Sequence, residues 1–569
     1  MTKFTFNAKN HSQQYIKIIA EITTNASETI VQLPAWRPGR YELGNFAKNI
    51  RDFKVYNSDK KLIASEKKTK DSWIVDTSST DEVSIEYSFY ANIINAGSTF
   101  LDAEQMYVNP VNCCVYTEES FLNEVAVSVD VPSHWNVATS MEKVGEDFKV
   151  ANFDELLDSP FIASSQLQHG EYKVNGTLFH IWFNGEVKPD WDRVIADFRG
   201  FTEKQIEKFT EFPVKEYHFL NQILPYKAYH GVEHQKSTVI SLGPSYDVFG
   251  KLYKELMGVS SHELYHTWNV KTIRPVEMYP YDFSKENYSK LGYICEGVTT
   301  YQGDLFLLKS GFFSEDDYFK QLNSQLQRHF DNHGRFNYSV AESSFDTWLD
   351  GYVGGAPARK VSIYTEGCLL SFAIDVRIRK ATKNKYGLDE VMKRLYFNFA
   401  LQNKGVSEND YKSTIESITG QSFQPFFDDY VNGNKPYESI ITEALETLGL
   451  KLSHSPSKKY SEGRLGFKSQ MKGINAIVTA LYPSGPADLA KLSVGDEIVA
   501  VNDFALNGEL DKWLSYFDDD AKTVTVLRGG KMLSFTFPEV NRNFYNKYSV
   551  SKITNPSNDQ KRAFENWKK

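Results

Sequence analysis

Two changes of hydrophobic period divide the chain, and each limits what its segment can become. Up to about residue 170, runs such as "KFTFNA", "EVSIEYSFYA" and "VAVSVDVP" alternate apolar and polar residues, which turns one face of an extended strand toward a core. From about 190 to 440 apolar residues recur at three- and four-residue steps, as in "DVFGKLYKELMGVSSHELYHTWNV" and "VSIYTEGCLLSFAIDVRIRKAT". That is the spacing of helices with one buried stripe. Strand-like "KEYHFLNQIL" and "STVISLG" precede them, and after the polar "HSPSKKYSEG" alternation returns in "GINAIVTALY", "GDEIVAVN" and "KTVTVLRGG". The reading is a multidomain α+β chain: an all-β domain over 1–170, a mostly helical domain over 171–444, a small strand-rich domain over 445–540, and a tail over 541–569. The tail is polar apart from Phe564 and Trp567, which fits either a docked helix or a frayed end. A length of 569 residues agrees with roughly three or four domains at about 100–200 residues each.

Charge narrows the partners. The 73 acidic residues outnumber the 64 basic ones for a formal charge of −9, and no basic stripe is segregated, so nucleic acid is not expected as a partner. The start, "MTKFTFNAKNHSQQYIKIIA", lacks a continuous apolar core after a basic residue, and no later run approaches the ~18 apolar residues of a membrane span. A soluble, cytoplasmic protein without a membrane partner is therefore expected. Of four cysteines, Cys113 and Cys114 are adjacent while Cys295 and Cys368 stand far apart, which fits neither a zinc ribbon nor a disulfide framework.

The stretch "SSHELYHTWNVKTIRP", residues 260–275, carries the chemistry. Four-residue spacing on a helix puts His262 and His266 on one face, with Glu263 beside them, so both imidazoles can address one ion while the carboxylate faces a water. Zn²⁺ takes neutral imidazole nitrogens, and a catalytic site keeps three protein ligands. The best third candidate is Glu296 in "GYICEGVTTYQGDLFLLKSG", because a carboxylate facing the interior of such an apolar helix is costly unless paired or bound to metal. A glutamate at a solvated helix start is the other reading of that position.

"HELYHTWNVKTIRP" followed by "EGVTTYQGDL" resembles the glycyl aminopeptidase family, PDZ-containing gluzincin metallopeptidases. "LPAWRPGRYELGNFAKNI" and "FDELLDSP" look like its N-terminal domain, and "RLGF" with "PSGPADLAKLSVGDEIVAVN" looks like its PDZ domain, so the likeness covers nearly the whole chain. It implies a thermolysin-like catalytic domain, one catalytic Zn²⁺ held by His262, His266 and Glu296, and Glu263 as general base. The implied activity is removal of small N-terminal residues such as Gly or Ala from peptides with a free N-terminus.

Two more segments resemble the broader aminopeptidase group. "YHGVEHQKST" places Glu233 where those enzymes hold the substrate amine, with His230-Gly231 in place of the family's Gly-Gly at that substrate-binding edge. "SIYTEGCLL" places Tyr364 where their tyrosine steadies the oxyanion. One departure stands out: the position four beyond Glu296, where many gluzincins carry an Asp that orients a histidine, is Thr300. Asn269 or an unidentified carboxylate is left to orient the histidines, while Trp268, Asn269 and Arg274 read as supporting rather than catalytic. The PDZ-like segment reads equally as a purely architectural domain or as a receptor for C-terminal peptides. The alternatives to an aminopeptidase are a zinc endopeptidase and a catalytically silent, PDZ-bearing peptide-binding protein.

Overall fold

The computed structural model describes residues 2–569. In the first 165 residues strict alternation becomes buried alternation: Ile16, Ile18, Ala20 and Ile22 of the strand Tyr15–Thr23 all point into one core. Thr2–Asn10 lies between that strand, paired antiparallel, and Val125–Asp130, paired parallel, in an eight-stranded sheet. A four-stranded sheet packs on it, with the rings of Phe6 and Phe161 5.3 Å apart. The outer face of the smaller sheet carries Tyr107, Ala138 and Ile162, which meet Leu220, Val232 and Val239 of the central region in a second, small apolar cluster.

The central region opens with a five-stranded sheet: β1 (Gln168–Val174), β2 (Thr177–Asn184), β3 (Glu216–Ile223), β4 (Ala228–Glu233) and β5 (Ser237–Gly243), in the order β1-β2-β3-β5-β4. β2 and β3 are parallel, which requires a crossover between them. The helix α1 (Trp191–Phe209) supplies it, started by Asp190, whose carboxylate accepts the Arg193 N–H. Phe198, Phe201 and Phe209 of α1 pack on Phe179, Tyr217 and Phe219 of the sheet. β4 pairs antiparallel with β5 and leaves its outer edge open.

On the helix side follow α2 (Tyr253–Tyr265), a wide π-helical turn at Tyr293–Val298, α3 (Thr299–Lys309) and α4 (Ile363–Ala381). No helix among the described residues is long and apolar enough to cross a membrane. Beyond 445 two different fates appear. Residues 460–537 form a six-stranded sheet with three short helices and a core of their own, including Phe467, Val478, Ile498, Leu514 and Val526. The tail is docked: Asn546–Lys552 pairs antiparallel with Leu450–Pro456, and α5 (Asn558–Trp567) buries Trp567 completely. The Trp567 indole N–H donates to the Tyr301 hydroxyl at 2.9 Å, which donates to Asp375 at 2.6 Å. Ser557 and Gln560 close a capping box at the start of this helix.

Candidate active site

The site is assembled by close approach of backbones. On α2 and at its end, His262 and His266 share a face. The Ser261 hydroxyl donates to the Gly303 carbonyl at 2.8 Å, and a Cβ on Gly303 would fall only 3.0 Å from the His262 Cα. α2 and α3 therefore lie nearly in backbone contact, which carries the preceding wide turn and its Glu296 to the histidines. His262 Nε2 and His266 Nε2 are 3.0 Å apart, and Glu296 Oε2 lies 3.7 Å and 3.4 Å from them. Such wide turns are rare and recur at functional positions.

His266 and Glu296 are almost fully buried, His262 less so. Burial would lower the His266 imidazole, yet Glu296 and Glu233 push it up to about 10, and His266 in turn brings Glu296 down to about 2 against its own burial. Burial dominates at His262, whose imidazole stays below its ordinary value. His266 Nδ1 donates to the Asn269 carbonyl at 2.7 Å, which leaves Nε2 as the ring's acceptor in the neutral form. The Asn269 amide is itself held by the carbonyls of Ile294 and Cys295 and by Thr299 Oγ1. A backbone carbonyl, steadied by the Asn269 side chain, thus orients His266 where Thr300 supplies no carboxylate. Trp268 lies stacked on Phe209 at 4.5 Å, and Arg274 sits over the Tyr281 ring at 3.8 Å, both outside this set.

Glu263, Glu233 and His266 form an overlapping group whose polar atoms lie within 4.8 Å of one another. The strand β4 can pass this close because Gly231 has no side chain: a Cβ there would meet Glu263 Oε1 at 2.1 Å. Both carboxylates are buried, and Glu233 Oε1 and Glu263 Oε2 have no hydrogen-bond partner. Burial raises the Glu263 carboxyl well above its usual range; Glu233 and Glu296 add to this and His266 opposes it.

Tyr364 stands in the first turn of α4, whose start is capped by Ser362 accepting the Thr365 N–H. Here two glycines face each other: a Cβ on Gly297 would sit 2.3 Å from the Gly367 Cα. That contact presses α4 onto the wide turn and sets Tyr364 in the field of Glu296. Burial, then Glu296 and the neighbouring Tyr352, raise its hydroxyl well above the usual phenol value. His262, His266 and Glu296 thus form one group, Glu233 and Glu263 share His266 with it, Gly231 abuts Glu263, and Tyr364 lies within the electrostatic reach of Glu296 and Glu233.

Sequence reasoning missed what the β-rich first region adds. Gly39 abuts Glu233, a Cβ there meeting Oε2 at 2.5 Å, and the buried Arg37 with Arg40 joins burial in holding the His230 imidazole down at about 3. The Tyr352 hydroxyl accepts the Tyr41 N–H at 3.3 Å, joining that region to the 351–362 loop. Asp158 binds His234 Nδ1 at 2.9 Å, the Gln235 N–H at 2.8 Å and Lys271 Nζ at 2.9 Å, and so fastens both the end of β4 and the segment after His266. Burial opposes its charge, but Lys271 and His234 hold Asp158 well below the usual carboxylate range. The only signal for these contacts was the "WRPGRYELG" and "FDELLDSP" segments, which carry no periodicity that points to a cleft.

Residues 3–165 match the family model of the peptidase M61 N-terminal domain, and residues 255–370 match that of the M61 glycyl aminopeptidases. Among solved structures, the chain is similar to an aminopeptidase N family protein from Idiomarina loihiensis, with 24% identity, both chains covered to 100% and a TM-score of 0.90. That likeness shows a shared fold over the full length. An M1 zinc metallopeptidase mutant from Deinococcus radiodurans, bound to a Tyr-Ser-Ala substrate, is similar over 76% of this chain and 94% of its own, with 12% identity and a TM-score of 0.47. No curated protein matches the chain.

Proposed function

Since the chain belongs to the M61 glycyl aminopeptidase family, we propose that it is a zinc-dependent aminopeptidase that removes small residues such as Gly or Ala from free peptide N-termini. The observation that carries this reading is a buried carboxylate, Glu233, with an unpartnered oxygen beside a two-histidine, one-carboxylate set. A lone buried carboxylate costs folding free energy unless a ligand compensates it, and the ammonium of a peptide N-terminus does so.

The donor set suits Zn²⁺. Ligand radii of about 2.0–2.1 Å in a tetrahedron separate neighbouring donors by about 3.3 Å, close to the 3.0, 3.4 and 3.7 Å found between His262, His266 and Glu296. The Nδ1–H of His266 is committed to a carbonyl, so its Nε2 lone pair is free for a cation. The overlapping set of Glu233, Glu263 and His266 contributes a single imidazole, and its two carboxylates are better used in chemistry. Zn²⁺ held by the three ligands would polarise the scissile carbonyl as a Lewis acid.

Glu263 takes a proton from the attacking water and passes it to the leaving amine as the C–N bond breaks. Glu233 anchors the ammonium, and the open edge of β4 offers main-chain partners to an extended peptide. Tyr364 donates to the oxyanion. Tyr364→Phe is accordingly expected to lower kcat about 10²-fold or more with little change in KM, because the hydroxyl acts in the transition state. Steady-state kinetics on a Gly-initiated peptide decide it; an unchanged kcat returns Tyr364 to a packing role.

In this reading the central region is thermolysin-like and the 445–540 segment contains a PDZ domain, whose own sheet and core span 460–537, while Leu450–Pro456 pairs with the tail. Its loop at Gly463–Phe467 supports architecture over recognition: the N–H groups of Gly463, Arg464 and Leu465 already donate to the carbonyls of Lys459 and Tyr460. Phe544 moreover covers Gly466. The function is tested by treating the protein with a strong chelator and following hydrolysis of a Gly-initiated peptide. Activity is expected to vanish and to return with added Zn²⁺, whereas undiminished hydrolysis by metal-stripped protein overturns the proposal.

A further inference from the structure

Three of the twelve histidines fall outside the cleft on one sheet face. The antiparallel register of β1 and β2 sets Glu171 opposite His180 and His169 opposite Trp182, and the parallel register of β2 and β3 sets His218 opposite His180. Alternation along the strands places all of them on the side of Trp182 and Leu220, away from the helices, while Phe179, Ile181 and Tyr217 face α1 and α2. The sheet therefore separates this group from the helix that carries His262.

His169 Nε2 lies 2.9 Å from His180 Nδ1, and Glu171 Oε2 lies 3.8 Å from that same nitrogen. The three ligand atoms fall within 4.8 Å of one another, a spread like that of the cleft set. A simple hydrogen bond between the two rings does not satisfy this arrangement. If His180 Nδ1 donates to His169, its Nε2 is an acceptor without a donor; if Nδ1 accepts, an Nε2–H is left without an acceptor. The His180 Nε2 atom is buried and has no hydrogen-bond partner. His218 is excluded as a ligand, because its Nδ1 accepts the Trp182 indole N–H at 3.2 Å and the neutral ring then carries its proton on Nε2. Glu216 forms a further group with His180 and His218 that also spans no more than 4.8 Å. Access is open, since β1 is an edge strand and His169 and Glu171 are exposed.

We propose that His169, Glu171 and His180 form a second metal site, which takes a divalent transition ion of the Zn²⁺ or Cu²⁺ class and leaves its remaining positions to water. Two imidazoles and one carboxylate are a donor set for borderline cations rather than for Ca²⁺ or Mg²⁺. Burial lowers both imidazoles, which favours the neutral rings that a metal requires.

The test is equilibrium dialysis of the full chain against Zn²⁺, followed by elemental analysis. Wild-type protein is expected to hold two equivalents. His169→Gln and Glu171→Gln, both at exposed positions, are expected to hold one and to hydrolyse peptide at the wild-type rate. His262→Ala is expected to retain one equivalent that is lost on adding His169→Gln, which separates this site from failure of the cleft site. Metal binding, whether one equivalent or two in wild type, that is unchanged by both His169→Gln and Glu171→Gln overturns the proposal.

Discussion

Glu263→Gln is expected to keep its metal and lose turnover by about 10²–10⁴-fold, the range that positioned general acid–base catalysis supplies. The amide matches the carboxylate in size, so the contact with β4 at Gly231 is preserved. The change also leaves His262, His266 and Glu296 untouched, and it removes the like-charge strain that Glu233 and Glu296 place on Glu263. Stability is therefore expected to hold or rise while chemistry fails. Metal content and hydrolysis rate on one preparation decide it. A variant with near-normal kcat shows that some other group takes the proton.

The second large effect concerns Glu233. Removing one partner of a buried charge pair typically costs about 3–5 kcal/mol, because the other charge is left uncompensated. Glu233→Ala should therefore depress kcat/KM for Gly- or Ala-initiated peptides by several hundred-fold or more, at about 1.4 kcal/mol per tenfold, with metal content unchanged. Acetylating the same peptides should produce a comparable loss in the unmutated enzyme, since it deletes the ammonium. If acetylated peptides are cut at internal bonds as fast as free ones, Glu233 is no amine anchor and the endopeptidase reading replaces the aminopeptidase one. Arg37 and Arg40 act on the same corner, so the experiment belongs at low and high salt, where a buried pair keeps its strength better than a surface one.

Much of this arrangement is legible in the sequence. His262 and His266 had to share a face, because four-residue spacing on a helix allows nothing else once the surrounding apolar steps are read as helical. Glu296 was legible as a carboxylate in an apolar segment, a costly choice that asks for a partner. The tail could not be read: Trp567 and its neighbours fit either fate until the pocket formed by Tyr301, Tyr318 and Phe372 was seen.

What the sequence determined by itself was local: the periods of its strands and helices, and the shared face of two histidines. These depend on residues a few positions apart, whose spacing the chain geometry converts directly into direction. The tertiary structure alone decided that Glu296 sits in a wide turn, that Gly297 and Gly367 bring Tyr364 beside it, and that the Asn269 carbonyl orients His266. It also decided that Gly39 and Asp158, from the first region, close on Glu233 and its strand, and that His169, His180 and His218 share one face of β1, β2 and β3. The reason is physical: each of these contacts needs two surfaces far apart in the chain to meet at a particular register. That register is set by how whole layers pack, which no short run of residues encodes.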